Sequence, residues 1–174
     1  FLAQKIDPWI VYFLALTDSL DDQSLMNFAG NLAIPEPHVK HIVKERRELK
    51  WILSLLDRQK LIKPSEIFVT LNRLSMESLL FMMSKTSEEQ SRRSISEFIT
   101  KLRHVRPAIT GKDLKEMGYP PGPIFGSILN SLREARLDGF VRNLDEEKKF
   151  VKTFFPLESR AVVKNLTADV DVLE

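Results

Sequence analysis

Helical periodicity along almost the whole chain is the feature that most limits how this sequence can fold. Apolar residues recur at spacings of three and four rather than two, in stretches separated by short turns that carry proline or glycine. The 174 residues include 6 Gly and 9 Pro, so the stretches between these breakers are long enough for helices. The sequence therefore predicts an all-α fold, an elongated array of helix pairs.

Capping signals indicate where the helices begin. Asp7-Pro8 opens the run Trp9–Leu16, which we expect to be a buried helix because it is apolar on every side. Further starts are expected near Asp21, Pro37, Pro64, Ser75, Pro123 and Asp145. Two more starts have the spacing of a capping box, Ser87 with Gln90 and Thr110 with Asp113. Pro156 is expected to end the last helix.

The pattern divides the chain into three regions. Residues 1–86 are expected to form a helical body-like region, and residues 87–156 a helical tail region. Residues 157–174 lose the apolar spacing and carry mixed charge, so we expect a weakly ordered C-terminal tail.

Composition excludes several classes of protein. Hydrophobic residues make up 43% of the chain and charged residues 29%, and no window holds the roughly 18 consecutive apolar residues of a membrane span. The chain contains no cysteine and three histidines, which argues against disulfides and metal sites. His38 and His41 have ligand spacing, but without a third ligand nearby surface or capping roles fit better. We expect a cytoplasmic, metal-free piece of a longer chain, with no signal peptide.

Positive charge is segregated along the sequence. The totals of 26 Lys+Arg and 24 Asp+Glu leave a net charge of only +2. Residues 40–63, however, hold eight basic and three acidic residues, and residues 92–115 hold seven basic and two acidic residues. The near-neutral total therefore does not argue against a nucleic acid as partner.

The helix that begins near Pro37 is predicted to have one basic face and one core face. Its basic face contains Lys40, Lys44, Arg47, Trp51 and Arg58, and its core face contains Val39, Ile42, Leu49, Ile52, Leu53 and Leu56. Basic residues beside an exposed indole suit an RNA, because the cations contact phosphates while the ring stacks on a base. The alternative is a solvated surface, with the tryptophan packed under a neighbouring helix.

The sequence offers no self-sufficient active site. Asp169-Val170-Asp171 is a carboxylate pair of the kind that holds Mg²⁺, but no Gly-Ser phosphate grip precedes it. Gly111-Lys112 lacks the other residues of a P-loop, and Gly126-Ser127 lacks those of a nucleophile elbow. We therefore predict no catalytic residue and no metal ligand in this sequence.

Residues 106–139, which we call the signature segment, carry many motif residues in one ordered stretch. They are Ile109-Thr110-Gly111-Lys112-Asp113-Leu114, Gly118, Pro121-Gly122-Pro123, Phe125-Gly126, Leu129, Glu134-Ala135 and Leu137-Asp138-Gly139. The segment closely resembles the C-terminal signature of the bacterial tRNA nucleotidyltransferases. These are the CCA-adding and A-adding enzymes of class II, the class that also includes bacterial poly(A) polymerases. The strong resemblance covers roughly a fifth of the chain.

The resemblance implies a function. In this family an N-terminal head with Gly-Ser and Asp-x-Asp motifs performs catalysis, and a neck with Glu-Asp-x-x-Arg selects the nucleotide. This sequence does not contain the head motifs in that arrangement, because no Gly-Ser phosphate grip precedes Asp169-Val170-Asp171. Asp57-Arg58 is too partial a match to the neck motif. The resemblance thus implies the neck, body and tail portion, which binds the acceptor arm or elbow of tRNA. Its implied partners are tRNA and the head domain of the same chain. Mg²⁺ and ATP or CTP are implied for the full enzyme, and no cofactor for this portion.

The signature segment also suggests how RNA would be held. Thr110 begins a helix whose first turn contains Gly111 and Lys112, so exposed N–H groups and a lysine would face a phosphate. A second helix begins nearby after Pro121-Gly122-Pro123, with Gly126 on its open side. The predicted RNA-binding residues are Thr110, Gly111, Lys112, Lys115, Gly122, Gly126, Arg133, Arg103, Arg106, Lys40, Lys44, Arg47 and Trp51.

Two alternatives remain open from the sequence. Gly118, Pro121 and Gly139 serve turns as well as they would serve function. The chain as a whole also suits a helical interaction module that docks onto an acidic partner or another subunit. Trp51 separates these two functions, because an RNA groove requires it to be exposed among basic residues and a docking module requires it at a protein–protein contact.

Overall fold

A computed structural model describes residues 6–58 and 63–157. These residues form nine α-helices, one short 3₁₀ helix and no strand, which confirms the predicted all-α fold. The helices are α1 (Pro8–Leu16), α2 (Asp22–Asn31), α3 (Glu36–Arg58), α4 (Pro64–Leu71), α5 (Met76–Lys85), α6 (Glu89–Thr100), α7 (Gly111–Glu116), α8 (Pro123–Leu137) and α9 (Leu144–Phe154), with the 3₁₀ helix at Leu102–His104. No helix in these ranges is long and apolar enough to cross a membrane. The predicted weak order of the C-terminal tail and the Asp169-Val170-Asp171 pair concern residues outside them.

The chain divides into two compact units, Phe1–Arg103 and His104–Glu174. In the first, which we call the N-terminal unit, α1 packs against α5, α2 against α3, and α6 against α3, α4 and α5. In the second, the C-terminal unit, α8 packs against α9. The apolar side chains of the facing helices form the core of each unit.

The two faces of α3 are as predicted. Val39, Ile42, Leu49, Ile52 and Leu56 are buried in the core of the N-terminal unit. The basic residues of the opposite face are exposed. The helical spacing of apolar residues was therefore sufficient to assign these faces.

Burial of α1 was predicted wrongly in part. Phe13 and Leu14 are buried, but Trp9 is 47%, Tyr12 74% and Leu16 69% exposed. The reason is that α1 presents only one face to α5 and α2. Its other face is an apolar surface that the described residues leave open.

Most predicted helix starts are confirmed to within one residue, and two of them have side-chain capping hydrogen bonds in the N-terminal unit. The Asp21 carboxylate accepts from the Ser24 N–H at 2.7 Å, and the Ser75 hydroxyl accepts from the Ser78 N–H at 3.1 Å. The final helix is capped by Asn143, whose side-chain oxygen accepts from the Glu146 N–H at 3.0 Å. The helix therefore starts at Leu144, one residue before the predicted Asp145.

The predicted capping box of Ser87 with Gln90 is wrong. Helix α6 begins at Glu89, and Glu88 occupies its N-cap without a side-chain hydrogen bond. The Thr86 hydroxyl accepts from the Glu88 N–H at 3.1 Å and donates to the Asp57 carboxylate at 3.0 Å. This contact with α3 sets the start of α6 in place of the local pattern.

Candidate nucleic-acid interface

A buried carboxylate fixes the beginning of the signature segment. The Glu147 side chain on α9 has no exposed surface. It accepts hydrogen bonds from the backbone N–H groups of Ala108 at 2.9 Å and Ile109 at 2.8 Å, and from the guanidinium of Arg136 on α8. These bonds join α8 and α9 to the backbone segment that leads into α7. The sequence analysis did not identify Glu147, because its backbone partner Ala108 lies 39 residues away along the chain.

The predicted capping box at the start of α7 is present. The Thr110 hydroxyl and backbone N–H both donate to the Asp113 carboxylate, at 2.6 and 2.7 Å, and the Asp113 N–H donates back to the hydroxyl at 3.5 Å. These hydrogen bonds from Thr110 lower the pKa of Asp113 below its ordinary value. A carboxylate therefore already lies at the positive end of this six-residue helix. The structure assigns Thr110 a capping role, and its contact with RNA stays a prediction.

The two helix starts of the signature segment are adjacent, as predicted. A Cβ placed on Gly111 would lie 3.5 Å from the ring of Phe125, in the first turn of α8. Gly111 therefore packs against an aromatic side chain of the same unit. Gly122 and Gly126 differ from it, because an added Cβ at either would meet no described atom within 4 Å apart from those of its chain neighbours and, for Gly126, its own helix backbone. The open space at Gly126 leaves room for the close approach that the sequence suggested.

Two other glycines of the segment are explained by folding. Gly118 and Gly139 have φ values of +92° and +78°, in the left-handed region that favours glycine. Each follows a helix, and the next N–H bonds back across the last turn: Tyr119 to the Leu114 carbonyl at 3.0 Å and Phe140 to the Ala135 carbonyl at 2.8 Å. The turn interpretation is therefore sufficient for both glycines.

Tyr119 anchors the turn between α7 and α8. It is buried in the core formed by Ile109, Leu114, Ile128, Leu132 and Val151. Its hydroxyl donates to the Phe155 carbonyl at 2.7 Å, and burial raises the pKa of the phenol above its ordinary value. The aromatic side chain holds this turn against the end of α9.

Two exposed cations of the C-terminal unit, Lys112 and Lys115, lie on α7. The Lys112 side chain is largely exposed, with its ammonium 3.9 Å from the Glu116 carboxylate. Lys115 is exposed and has no ion-pair partner among the described residues. Arg106 is exposed and donates to the Val105 carbonyl at 3.0 Å, whereas Arg133 is half-buried on α8. Lys112 and Lys115 make no contact that the fold requires.

The basic face of α3 is exposed but partly neutralised. Trp51 is 56% exposed and lies between Arg47 and Arg58 on the helix surface. Lys40 pairs with Glu36 at 2.7 Å, and the Arg47 Nε donates to the Asp22 carboxylate at 2.9 Å. Lys44 lies on the same face without an ion pair in the part of the chain that the structure describes. The indole is thus exposed among cations.

One arginine of the first basic stretch has a structural role that the sequence did not reveal. Arg46 is only 4% exposed and donates to the backbone carbonyls of Asp18 at 3.2 Å and Leu20 at 2.7 Å. It supports the turn after α1, so the surface charge of the stretch is lower than the residue count suggested. Arg103, a predicted RNA-binding residue, is half-buried in the same unit, with its guanidinium 3.9 Å from the Met76 sulfur.

The predicted site residues are distributed over both units. Lys40, Lys44, Arg47, Trp51 and Arg103 belong to the N-terminal unit, and the predicted residues from Arg106 onward belong to the C-terminal unit. The described residues contain no group of three or more histidine, aspartate or glutamate side chains that could hold a metal ion.

Comparison with known proteins confirms the resemblance. The chain is 35% identical over 153 residues to the A-adding tRNA nucleotidyltransferase of Geobacter sulfurreducens (strain ATCC 51573 / DSM 12127 / PCA). The match covers 86% of this chain, far more than the signature segment, but only 17% of the length of that relative. No family model and no solved structure matches the chain.

Proposed function

We propose that this chain is a tRNA-binding helical portion of an A-adding or CCA-adding nucleotidyltransferase. It grips the acceptor arm or elbow by phosphate contacts that do not depend on base sequence. The observation that carries the proposal is the similarity, over 86% of the chain, to a relative named for tRNA. A protein that accepts every tRNA gains from contacts that ignore sequence.

Two exposed surfaces support this proposal. The first is Lys112 and Lys115 on α7, a helix whose first residue Gly111 lies next to Phe125 of α8. The second is the basic face of α3, where Lys44 and Trp51 combine a cation with a stacking surface. An exposed Trp51 is what the RNA function requires.

Nucleotide addition itself is assigned to other residues. We propose that a head domain of the same polypeptide, with Mg²⁺ and ATP or CTP, performs the transfer at the tRNA 3′ end. The residues of the present sequence would hold the RNA in place for that reaction. They would contribute affinity and orientation, because the rate of nucleotide addition at the tRNA 3′ end depends on how the rest of the tRNA is positioned.

The test is a binding titration of the chain with tRNA at two salt concentrations. We expect affinity to fall steeply between about 50 and 200 mM salt, because phosphate contacts release counterions. The double variant Lys112→Ala/Lys115→Ala should bind more weakly and with a shallower salt dependence. Lys149→Ala/Lys152→Ala, two exposed lysines of α9, is the charge-matched control. Equal affinity for double-stranded DNA, or no binding at low salt, would refute the proposal.

A further inference from the structure

A cavity of about 500 Å³ opens on the surface of the N-terminal unit. Its walls come from α1, the turn between α2 and α3, the first half of α3, and the start of α5. Apolar side chains make up most of the lining, among them Trp9, Ile10, Ile34 and Ile42. This volume lies within the range of about 300–1,000 Å³ that is typical of binding sites in proteins.

Two carboxylates lie in the same lining. Glu77 accepts the backbone N–H of Asp7 at 2.8 Å, and Glu45 accepts the hydroxyl of Ser75 at 3.2 Å. These hydrogen bonds hold both acidic side chains in place at the cavity wall. Among the described residues that line it, His38 alone is able to carry positive charge.

The lining therefore favours a cation with an apolar body. A guanidinium or ammonium group would be attracted by the carboxylates of Glu45 and Glu77 and by the face of the half-exposed Trp9 ring. The apolar walls would accommodate the aliphatic part of the same side chain and its neighbours.

The open apolar face of α1 continues this cavity. Tyr12 and Leu16 follow Trp9 at spacings of three and seven residues, on the same side of the helix, and both are largely exposed. At 1.5 Å per residue this surface extends for about 10 Å along α1. A small molecule would fill the cavity alone, whereas a polypeptide segment would also cover the extension.

We propose that this groove binds a polypeptide segment in which an arginine or lysine lies between apolar residues. The cation lies between Glu45, Glu77 and Trp9, and the apolar neighbours cover the cavity walls and α1. The site is separate from the proposed RNA surface of α3. Trp51 lies about 180° around the helix from Ile42, at about 100° per residue.

The two tryptophans of the chain make a selective experiment possible. The chain is labelled with 5-fluorotryptophan and studied by fluorine NMR, with Trp9→Phe to assign the resonances. The probe is the peptide acetyl-Ala-Leu-Arg-Leu-Ala-amide, and its control replaces arginine by the uncharged isostere citrulline. We expect the arginine peptide to shift the Trp9 resonance saturably and to leave that of Trp51 unchanged. The citrulline peptide should bind at least about 5-fold more weakly.

A variant pair tests the carboxylate directly. Glu77→Gln keeps an acceptor for the Asp7 N–H but removes the charge, so it should abolish the preference for arginine over citrulline. Glu97→Gln, an exposed change on α6, should preserve it. The peptide comparison on the unchanged chain stands even if Glu77→Gln folds poorly.

Three results would overturn the proposal. Equal binding of both peptides would mean that charge does not contribute. A Trp9 shift with free spermidine as large as that with the peptide would indicate a small-molecule site. A Trp9 shift that follows protein concentration without any peptide would indicate a second copy of the chain as the occupant. A tRNA titration read at Trp51 tests the RNA proposal separately.

Discussion

The guanidinium of Arg136 on α8 donates a hydrogen bond to the fully buried carboxylate of Glu147 on α9. The same carboxylate receives the backbone N–H groups of Ala108 and Ile109. One buried side chain thus connects both long helices of the C-terminal unit to the backbone that leads into α7. The placement of Lys112 on α7 therefore depends on Glu147.

We expect Glu147→Gln to destabilise the C-terminal unit by about 3 kcal/mol, because removal of one partner leaves a poorly compensated charge inside the protein. Both tryptophans lie in the N-terminal unit, so fluorescence would not detect the change. Hydrogen exchange of the α8 and α9 amides measures the loss of stability instead. Asp145→Asn, an exposed change on the same helix, should cost less than about 1 kcal/mol. Equal losses of stability in the two variants would contradict the role of Glu147 in holding the C-terminal unit together.

The contrast between Thr110 and Glu147 shows which features the sequence could predict. Thr110 bonds to a residue three positions away, so the local spacing identified its cap. Glu147 bonds to Ala108, 39 positions away, and helical periodicity carries no information on such a partner. One signal was present: Glu147 precedes the buried Val151 by four residues and so lies on the core side of α9.

The same distinction applies in the N-terminal unit. The faces of α3 follow from apolar spacing alone, whereas the buried role of Arg46 depends on backbone carbonyls 26 and 28 residues away. Exposure of Trp9 was not predictable from an apolar run, because burial depends on how many neighbours cover the helix. The sequence identified which segments carry the candidate site. Only the structure showed which of their cations support the fold and which are exposed.

Ala33→Gly is expected to stabilise the N-terminal unit by about 0.5–1 kcal/mol. Ala33 has a φ of +54°, in the left-handed region, directly after α2. Glycine adopts this conformation without steric cost, which outweighs the extra entropy it gives the unfolded chain. Denaturant unfolding followed by tryptophan fluorescence measures the change. Ala15→Gly, at an exposed helical position, should instead lose about 1 kcal/mol, and stabilisation by both would contradict the argument.

The Asp113 cap should make the stability of the C-terminal unit depend on pH. Its pKa is lowered in the folded chain by the hydrogen bonds from Thr110. The stabilisation is therefore complete above the ordinary carboxyl pKa of about 4 and is lost as pH falls through the lower folded-state pKa. Hydrogen exchange of the α7 amides in the unchanged chain and in Asp113→Ala, compared at neutral and acidic pH, measures this. We expect the two chains to differ less in α7 amide protection at acidic pH than at neutral pH. A larger difference at acidic pH would contradict the expected loss of the cap on protonation of Asp113.

Trp51 and Lys44 should affect tRNA binding in different ways. Trp51→Ala removes a stacking surface and should weaken binding by about 1 kcal/mol, roughly 5-fold, with the salt dependence unchanged. Lys44→Ala removes a phosphate contact and should reduce the slope of log K against log salt by about 1. Titrations at several salt concentrations distinguish the two. If both variants bind like the unchanged chain, the basic face of α3 does not contact tRNA.

Gly126→Ala separates a requirement of folding from a requirement of binding. Gly126 lies inside α8, and an added methyl group would meet no described atom within 4 Å beyond its chain neighbours and its own helix backbone. Alanine is the better helix former, so the C-terminal unit should gain about 0.5–1 kcal/mol, measured by hydrogen exchange of the α8 amides. If an RNA backbone passes close to this glycine, the same variant should bind tRNA several-fold more weakly despite its greater stability. Gly118→Ala, at a φ of +92°, is the opposite case and should lose stability by about 1 kcal/mol. Undiminished tRNA affinity in a stabilised Gly126→Ala variant would place the RNA away from this face of α8.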